Sequence, residues 1–382
     1  MPEVHGYLKA LLDNLKRLRE KGGLTESGLE ERLILGPGWI GRFERGETVP
    51  SIDMVLAILH ATNSNLAELL HGLPELEAAA VARVISAENA GTDICIHFDY
   101  ADHDAQYTLP NSSLAEYETV VKTLRDGLAQ LVSTAEGQIG AIKSDAVARA
   151  FLAAVRVWSH ANPSDLWGFL VSRAFCDPYN HPAQFARLNL DQSWKRTSGW
   201  AFEVVLVRHY GPFLKQNGVN LYIAASSAKQ EIVDSLELAD RVEADKIDVV
   251  LSGETPSGPR FFGVVHVKAS FAERRTDDVP LSTALVKGGY TSPLWTLDNK
   301  SMPSTHPINR GELGAADGKR SAKRKDIEDE GYFTGCFSYN KNTRPSPETL
   351  PAERRVHLCD FANPDDAFSK FILQRWHTFR SS

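Results

Sequence analysis

This sequence predicts a mixed α/β fold behind a small all-α N-terminal domain, and three observations predict it. Residues 1–73 carry apolar side chains at helical spacing and no strand-like run. Residues 141–382 interleave β-branched runs with helical patterns, the order expected of a mixed sheet with helices on both faces. Within them, Asp248 heads Val249-Val250-Leu251, and a Gly/Pro/Ser segment separates that run from Phe261-Phe262-Gly263-Val264-Val265-His266-Val267-Lys268. Two such runs split by turn residues read as a hairpin.

Length and composition set the bounds. A chain of 382 residues is long enough for two or three domains. With 42% hydrophobic and 24% charged residues it matches ordinary globular proteins. No run approaches the roughly 18 apolar residues of a membrane span, and the charged, amphipathic start lacks a secretory apolar core. Cys95, Cys176, Cys336 and Cys359 are widely scattered, which disfavours zinc and a disulfide framework and fits a reducing cytoplasm. A net charge of −7 argues against nonspecific coating of nucleic acid, yet a local basic surface would suffice for specific binding. Arg310, Lys319, Arg320, Lys323, Arg324 and Lys325 offer such a surface, or simply a solvated loop.

In chain order, Leu8, Leu11, Leu12, Leu15 and Leu18 mark a first helix. Thr25 is an N-cap candidate for a helix carrying Leu29 and Leu33, and Gly36-Pro37-Gly38 makes the turn. A short helix then holds Trp39, Ile40 and Phe43, and a further one holds Met54, Val55 and Ile58. Residues 74–140 predict a helix near Leu76–Glu88, a hairpin from ICIHFDY and AQYTLP, and an amphipathic helix over Ser113–Leu131. This segment reads as a small α+β connector or dimer contact; His97 and His103 have no third ligand in metal-binding spacing. Beyond it come helical patterns at Asp145–Trp158 and Trp167–Phe175. A helix with Phe202, Val205 and Leu206 then runs into a strand at Val219–Ala224.

The hairpin carries the chemistry. Alternation on a strand places His266 and Lys268 on one face, with Asp248 opposite on the neighbouring strand. Asp248 would hold Mg²⁺, which would polarise a phosphodiester, and Lys268 would stabilise charge developing there or orient the attacking water. Glu203, flanked by Phe202 and Val204, is expected to be partly buried and so to need a metal or a cation; Arg208 is the simplest partner. Asp278 is the next acidic candidate.

Two resemblances follow from these residues. The string RFERGETVPSIDMVLAIL within residues 1–73 resembles the Xre/Cro-type helix-turn-helix domain. That likeness places Arg42 and Arg45 against DNA. Pro37, Gly38 and Trp39 stand where short polar base readers are usual, which leaves a dimerisation or accessory role open. KIDVVL, HVKASFAERR and SGWAFE resemble the PD-(D/E)xK type II restriction endonucleases, and within them the BsaWI/AgeI-type members of the CCGG-recognising group. The likeness spans residues 141–382. It implies a site-specific deoxyribonuclease with a restriction-endonuclease-like core, acting as a homodimer on palindromic double-stranded DNA and using Mg²⁺. Asp248 and Glu203 would be metal ligands, with Lys268 and His266 beside them. Ile247 replaces the proline of the name, and His266 stands where an acid or serine is usual.

The same resemblance makes Glu273, Arg274 and Arg275 readers of the core bases. Arginine offers two donors to guanine O6 and N7, and a carboxylate accepts from cytosine amines. Ala272 occupies the position of the first arginine in that module, so the division of roles among the three stays open. A transcription regulator with a C-terminal sensor, or a nuclease specific for modified DNA, remain the rival readings.

Overall fold

The computed structural model describes residues 2–73, 83–100, 103–182, 189–235, 243–270, 275–299, 309–314 and 320–381. Packing divides the chain into two compact units, Met1–Val81 and Ala82–Ser382.

The first unit is helical: α1 (Pro2–Lys21), α2 (Glu26–Arg32), α3 (Trp39–Glu44), α4 (Ile52–Ala61) and α5 (Leu66–Leu70). Thr25 caps α2 through its hydroxyl, which accepts from the Gly28 N–H. Gly38 has a left-handed φ of 82° and no side chain to cap α3. The buried Glu30 carboxylate does so instead, accepting from the Ile40 N–H at 2.9 Å. Leu12, Leu15, Leu18, Leu29, Ile40, Phe43 and Val55 form a core of their own. Arg19 grips Glu44 through two hydrogen bonds of 2.6 and 2.9 Å, tying α1 to α3.

The second unit opens with an antiparallel sheet of β1 (Ile85–Ala90), β2 (Asp93–Tyr100) and β3 (His103–Leu109). The helix expected near Leu76–Glu88 is corrected here: Ile85–Glu88 are strand, and their register with β2 explains it. Residues 76–82 of that expectation lie outside the described residues. After α6 (Leu114–Ala129) and α7 (Ile139–Val157), α8 (Pro163–Asp165) passes through a π-helical turn (Leu166–Val171) into α9 (Ser172–Cys176). The long α10 (Leu190–Gln216) follows. Ile94, Ile96, Leu124 and Leu128 share one core with Phe151, Phe202 and Trp295. The described part of the expected connector is therefore packed into the larger unit.

A six-stranded mixed sheet forms the centre: β4 (Val219–Tyr222), β5 (Val249–Thr255), β6 (Gly258–Lys268), β7 (Leu294–Thr296), β8 (Cys336–Ser338) and β9 (Val356–Leu358), neighbours in that order. The first three strands run antiparallel, and β6 through β9 run parallel. Helices α11 (Ser226–Ser235) and α12 (Arg275–Lys287) share a core with one face of the β5–β6 hairpin, through Val233, Val250, Val264, Leu281 and Leu285. Helix α10 packs against the other face, with Phe202 and Val205 clustering with Val249, Leu251 and Val265. Helices α13 (Ala322–Glu328) and α14 (Ala367–Ser381) complete the unit.

A bulge sets the aim of β6. The register steps from Leu251↔Gly263 to Ser252↔Phe261, leaving Phe262 as the extra residue. Gly263 sits against Thr291, whose carbonyl oxygen would lie only 2.0 Å from an added Cβ. Beyond it Val264, His266 and Lys268 alternate onto the α12 side. The described residues include no helix long and apolar enough to cross a membrane. The four cysteines are free thiols.

Candidate active site

The ladder of β5 and β6 builds the site. Val249 pairs with Val265, so Asp248, one residue earlier, falls opposite His266 and diagonal to Lys268. Asp248 Oδ2 accepts from the Val267 N–H at 2.8 Å and from Lys268 Nζ at 2.7 Å. Lys268 Nζ also stands 3.4 Å from Asp278 Oδ1, at the first turn of α12. All three side chains are buried. Such a cluster survives burial because each charge has an opposite partner.

Behind Lys268 lies a polar layer. His266 is fully enclosed; its Nε2 bonds Ser292 Oγ at 2.9 Å, and Ser292 Oγ meets Ser282 Oγ at 2.8 Å. The ring edge packs on Phe333. This anchoring turns His266 Nδ1 toward Asp278 Oδ1, 3.8 Å away. Burial alone would push the Asp278 carboxyl up, but His266 and Lys268 together hold it below its ordinary range.

In front of Lys268 is a cavity of about 910 Å³. Glu203, Asp248 and Lys268 all line it, with Trp167 and Gly168 of the π-helical turn, and Asn299. Glu203 is thus on the same wall as the hairpin pair. The simple partner expected for it, Arg208, instead pairs with Asp145.

The donor set suits a divalent cation. One ligand atom each from Asp248, His266 and Asp278 lies within 4.8 Å of the others. Asp278 Oδ2 is buried with no hydrogen-bond partner, the state of an oxygen available to a cation. Carboxylate oxygens favour hard ions, whereas the imidazole favours softer ones. His266, held by Ser292, is placed to orient Asp278.

The remaining expected residues are distributed as follows. Glu273 and Arg274 lie outside the described residues; Arg275 begins α12, and its side chain is likewise outside them. Arg42 lies over the Trp39 ring at 4.3 Å, and Arg45 bonds Glu47 at 2.7 Å on the surface. Of the basic run, Arg310 and Lys325 are exposed and Lys319 lies outside the described residues, while the other three are held by carboxylates. Arg324 is buried and bonds Glu328 at 2.7 Å, Arg320 bonds Asp329 at 2.7 Å, and Lys323 pairs with Glu312 at 2.9 Å. Those three charges are engaged within the fold, by Glu328 of α13, by Asp329 just after it and by Glu312 of a separate segment. Ser282 and Ser292 were missed: a serine carries no chemical signature until the fold places it beside a histidine. Ser282 does lie one helical turn after Asp278, the one cue available.

Known proteins resemble both parts of the chain. A family described as "Helix-turn-helix domain" matches residues 10–71. The type II restriction enzyme AgeI of Thalassovita gelatinovora is 39% identical over 237 residues, covering 60% of this chain and 83% of that enzyme. The crystal structure of a specific AgeI–DNA complex matches 74% of this chain and 99% of its own with a TM-score of 0.63 and 34% identity. The structure of a pre-specific BsaWI–DNA complex covers 69% of this chain and 94% of its own, but with a TM-score of 0.33 and 13% identity it carries no weight alone.

Proposed function

This chain belongs to the family of type II restriction enzymes that includes AgeI, and from that premise we propose how it cuts DNA. It is a site-specific deoxyribonuclease with an N-terminal helix-turn-helix domain. Its target is a palindrome with a CCGG core, read by a homodimer in which each subunit takes one half-site and cuts one strand. The observation that carries the reading is the buried Asp248–Lys268 contact of 2.7 Å opening onto a cavity that Glu203 also lines.

Type II restriction endonucleases generally use a divalent metal, and here Asp248, Asp278 and Glu203 would hold Mg²⁺. When bound, the ion supplies Lewis-acid polarisation of the scissile phosphate. The chain's own residues do the rest. Asp278, held below its ordinary carboxyl range by His266 and Lys268, stays anionic. Lys268 Nζ presents its protons to the phosphate oxygens as negative charge develops, or to the attacking water. His266, anchored through Ser292 and Ser282, keeps Asp278 in place without touching the substrate. The segment directly after β6 brings Glu273, Arg274 and Arg275 close in sequence to Lys268, which suits base readers working beside the cut. Arg42 and Arg45 add phosphate contacts without sequence information.

Digestion of unmethylated plasmid in Mg²⁺, repeated on modified DNA and followed by sequencing of the ends, tests this. Discrete fragments ending at one palindromic sequence containing CCGG are expected. Cutting confined to modified DNA would favour the modification-dependent nuclease. Intact DNA in both cases would favour the transcription regulator.

A further inference from the structure

A second cavity adjoins the catalytic one at Glu203. Asn189, Gln192, Lys195 and Glu203 line both the catalytic cavity and this second, larger one of about 1300 Å³. The start of α10 is thus a wall common to both. A small-molecule pocket has roughly 300–1,000 Å³; the second cavity alone exceeds that range, which suits a polymer better than a compact ligand.

The second cavity is rich in cations. Lys143, Lys195 and Arg196 line it. Lys195 and Arg196 are exposed, and neither has an ion-pair partner among the described residues. Asp145, a carboxylate of the same cavity, is already engaged by Arg149 at 2.9 Å and by Arg208. Lys143 is buried, donates to Ser193 Oγ at 3.0 Å, and has its ammonium pushed down by burial. Glu203, the other carboxylate, sits at the junction. In a chain of net charge −7, exposed cations placed here beside the catalytic cavity suit an anionic occupant.

Their order matters as much as their sign. Lys195 lines both cavities, whereas Arg196 and Trp200 line only the second. Lys195 thus borders the cavity of Asp248 and Lys268, and Arg196, next to it in sequence, faces the second cavity together with the half-exposed Trp200 indole.

We propose that the second cavity is the exit path of the strand being cut: Lys195 and Arg196 hold backbone phosphates next to the scissile one, and Trp200 packs on a sugar or base. This rests on the nuclease reading of the hairpin. Phosphate contacts of this kind add affinity and position the strand, but carry no sequence information.

The test uses the full chain in a Lys268→Ala background, which blocks cleavage. Binding to the target duplex and to an unrelated duplex is measured from 50 to 200 mM salt. Each lost phosphate contact lowers the slope of log K against log salt by about 0.9, so Lys195→Ala/Arg196→Ala should lower it by about 2 on both duplexes alike. Trp200→Phe should remove part of the fluorescence change seen on binding. The charge-conserving Lys195→Arg/Arg196→Lys should keep the parent slope. Unchanged slope and affinity in the alanine variant would overturn the inference. Conversion of a dimer to monomers with the slope unchanged would also overturn it, assigning the cavity to a second copy of the chain. A parent that binds neither duplex would overturn the nuclease reading itself, and this inference with it.

Discussion

Lys268 and Arg324 are both buried cations with carboxylate partners, one at the end of β6 and the other in α13. Lys268 lies 2.7 Å from Asp248 and 3.4 Å from Asp278, and its cluster opens onto a cavity of about 910 Å³. Arg324 bonds Glu328 at 2.7 Å, the Arg344 carbonyl at 2.6 Å and Ser346 Oγ at 3.4 Å. It does not line that cavity. In sequence the basic run around Arg324 is the more conspicuous of the two, yet Arg320, Lys323 and Arg324 within it are taken up by carboxylates of the fold. Charge density in the sequence is therefore a poor guide to function. What separates the two is whether a cation's partners face space that a substrate can enter.

That contrast can be broken by mutation. Arg324→Ala leaves Glu328 buried without its closest cation, and removal of one partner from a buried pair costs about 3–5 kcal/mol. Thermal or urea unfolding should show that loss, while the cut sequence stays the same. An undiminished stability together with weakened DNA binding would return the α13 segment to the DNA surface and dissolve the contrast.

A smaller effect sharpens it from the other side. Glu273→Ala and Arg274→Ala should each relax discrimination at a core base by about 1–3 kcal/mol. Competition between the target duplex and duplexes altered at single core positions would measure this. Unaltered discrimination would move base reading elsewhere in the chain.

The hairpin and its aim were legible because alternation, a turn and two β-branched runs are local signals. Asp248 and Lys268 accordingly meet across the hairpin, with His266 opposite Asp248. The helix-turn-helix unit was legible for the same reason, although the capping of α3 by Glu30 was not, since it joins two helices across a turn. The strand at Ile85–Glu88 was misread as helix because its partner strand, not its own pattern, decides its conformation. Asp278 could be only a candidate, because its distance from Lys268 depends on how α12 folds back onto β6. Ser292 and Ser282 were invisible, being ordinary hydroxyls until packed behind His266.

Separating binding from cutting in one pair of variants tests the central claim most directly. Asp248→Asn and Lys268→Ala, each checked for folding by circular dichroism, are assayed for gel retardation of the target duplex and for plasmid cleavage in Mg²⁺. The Asp248–Lys268 site predicts retained specific binding with cleavage reduced by orders of magnitude in both. Cleavage at the unaltered rate by either folded variant would contradict it.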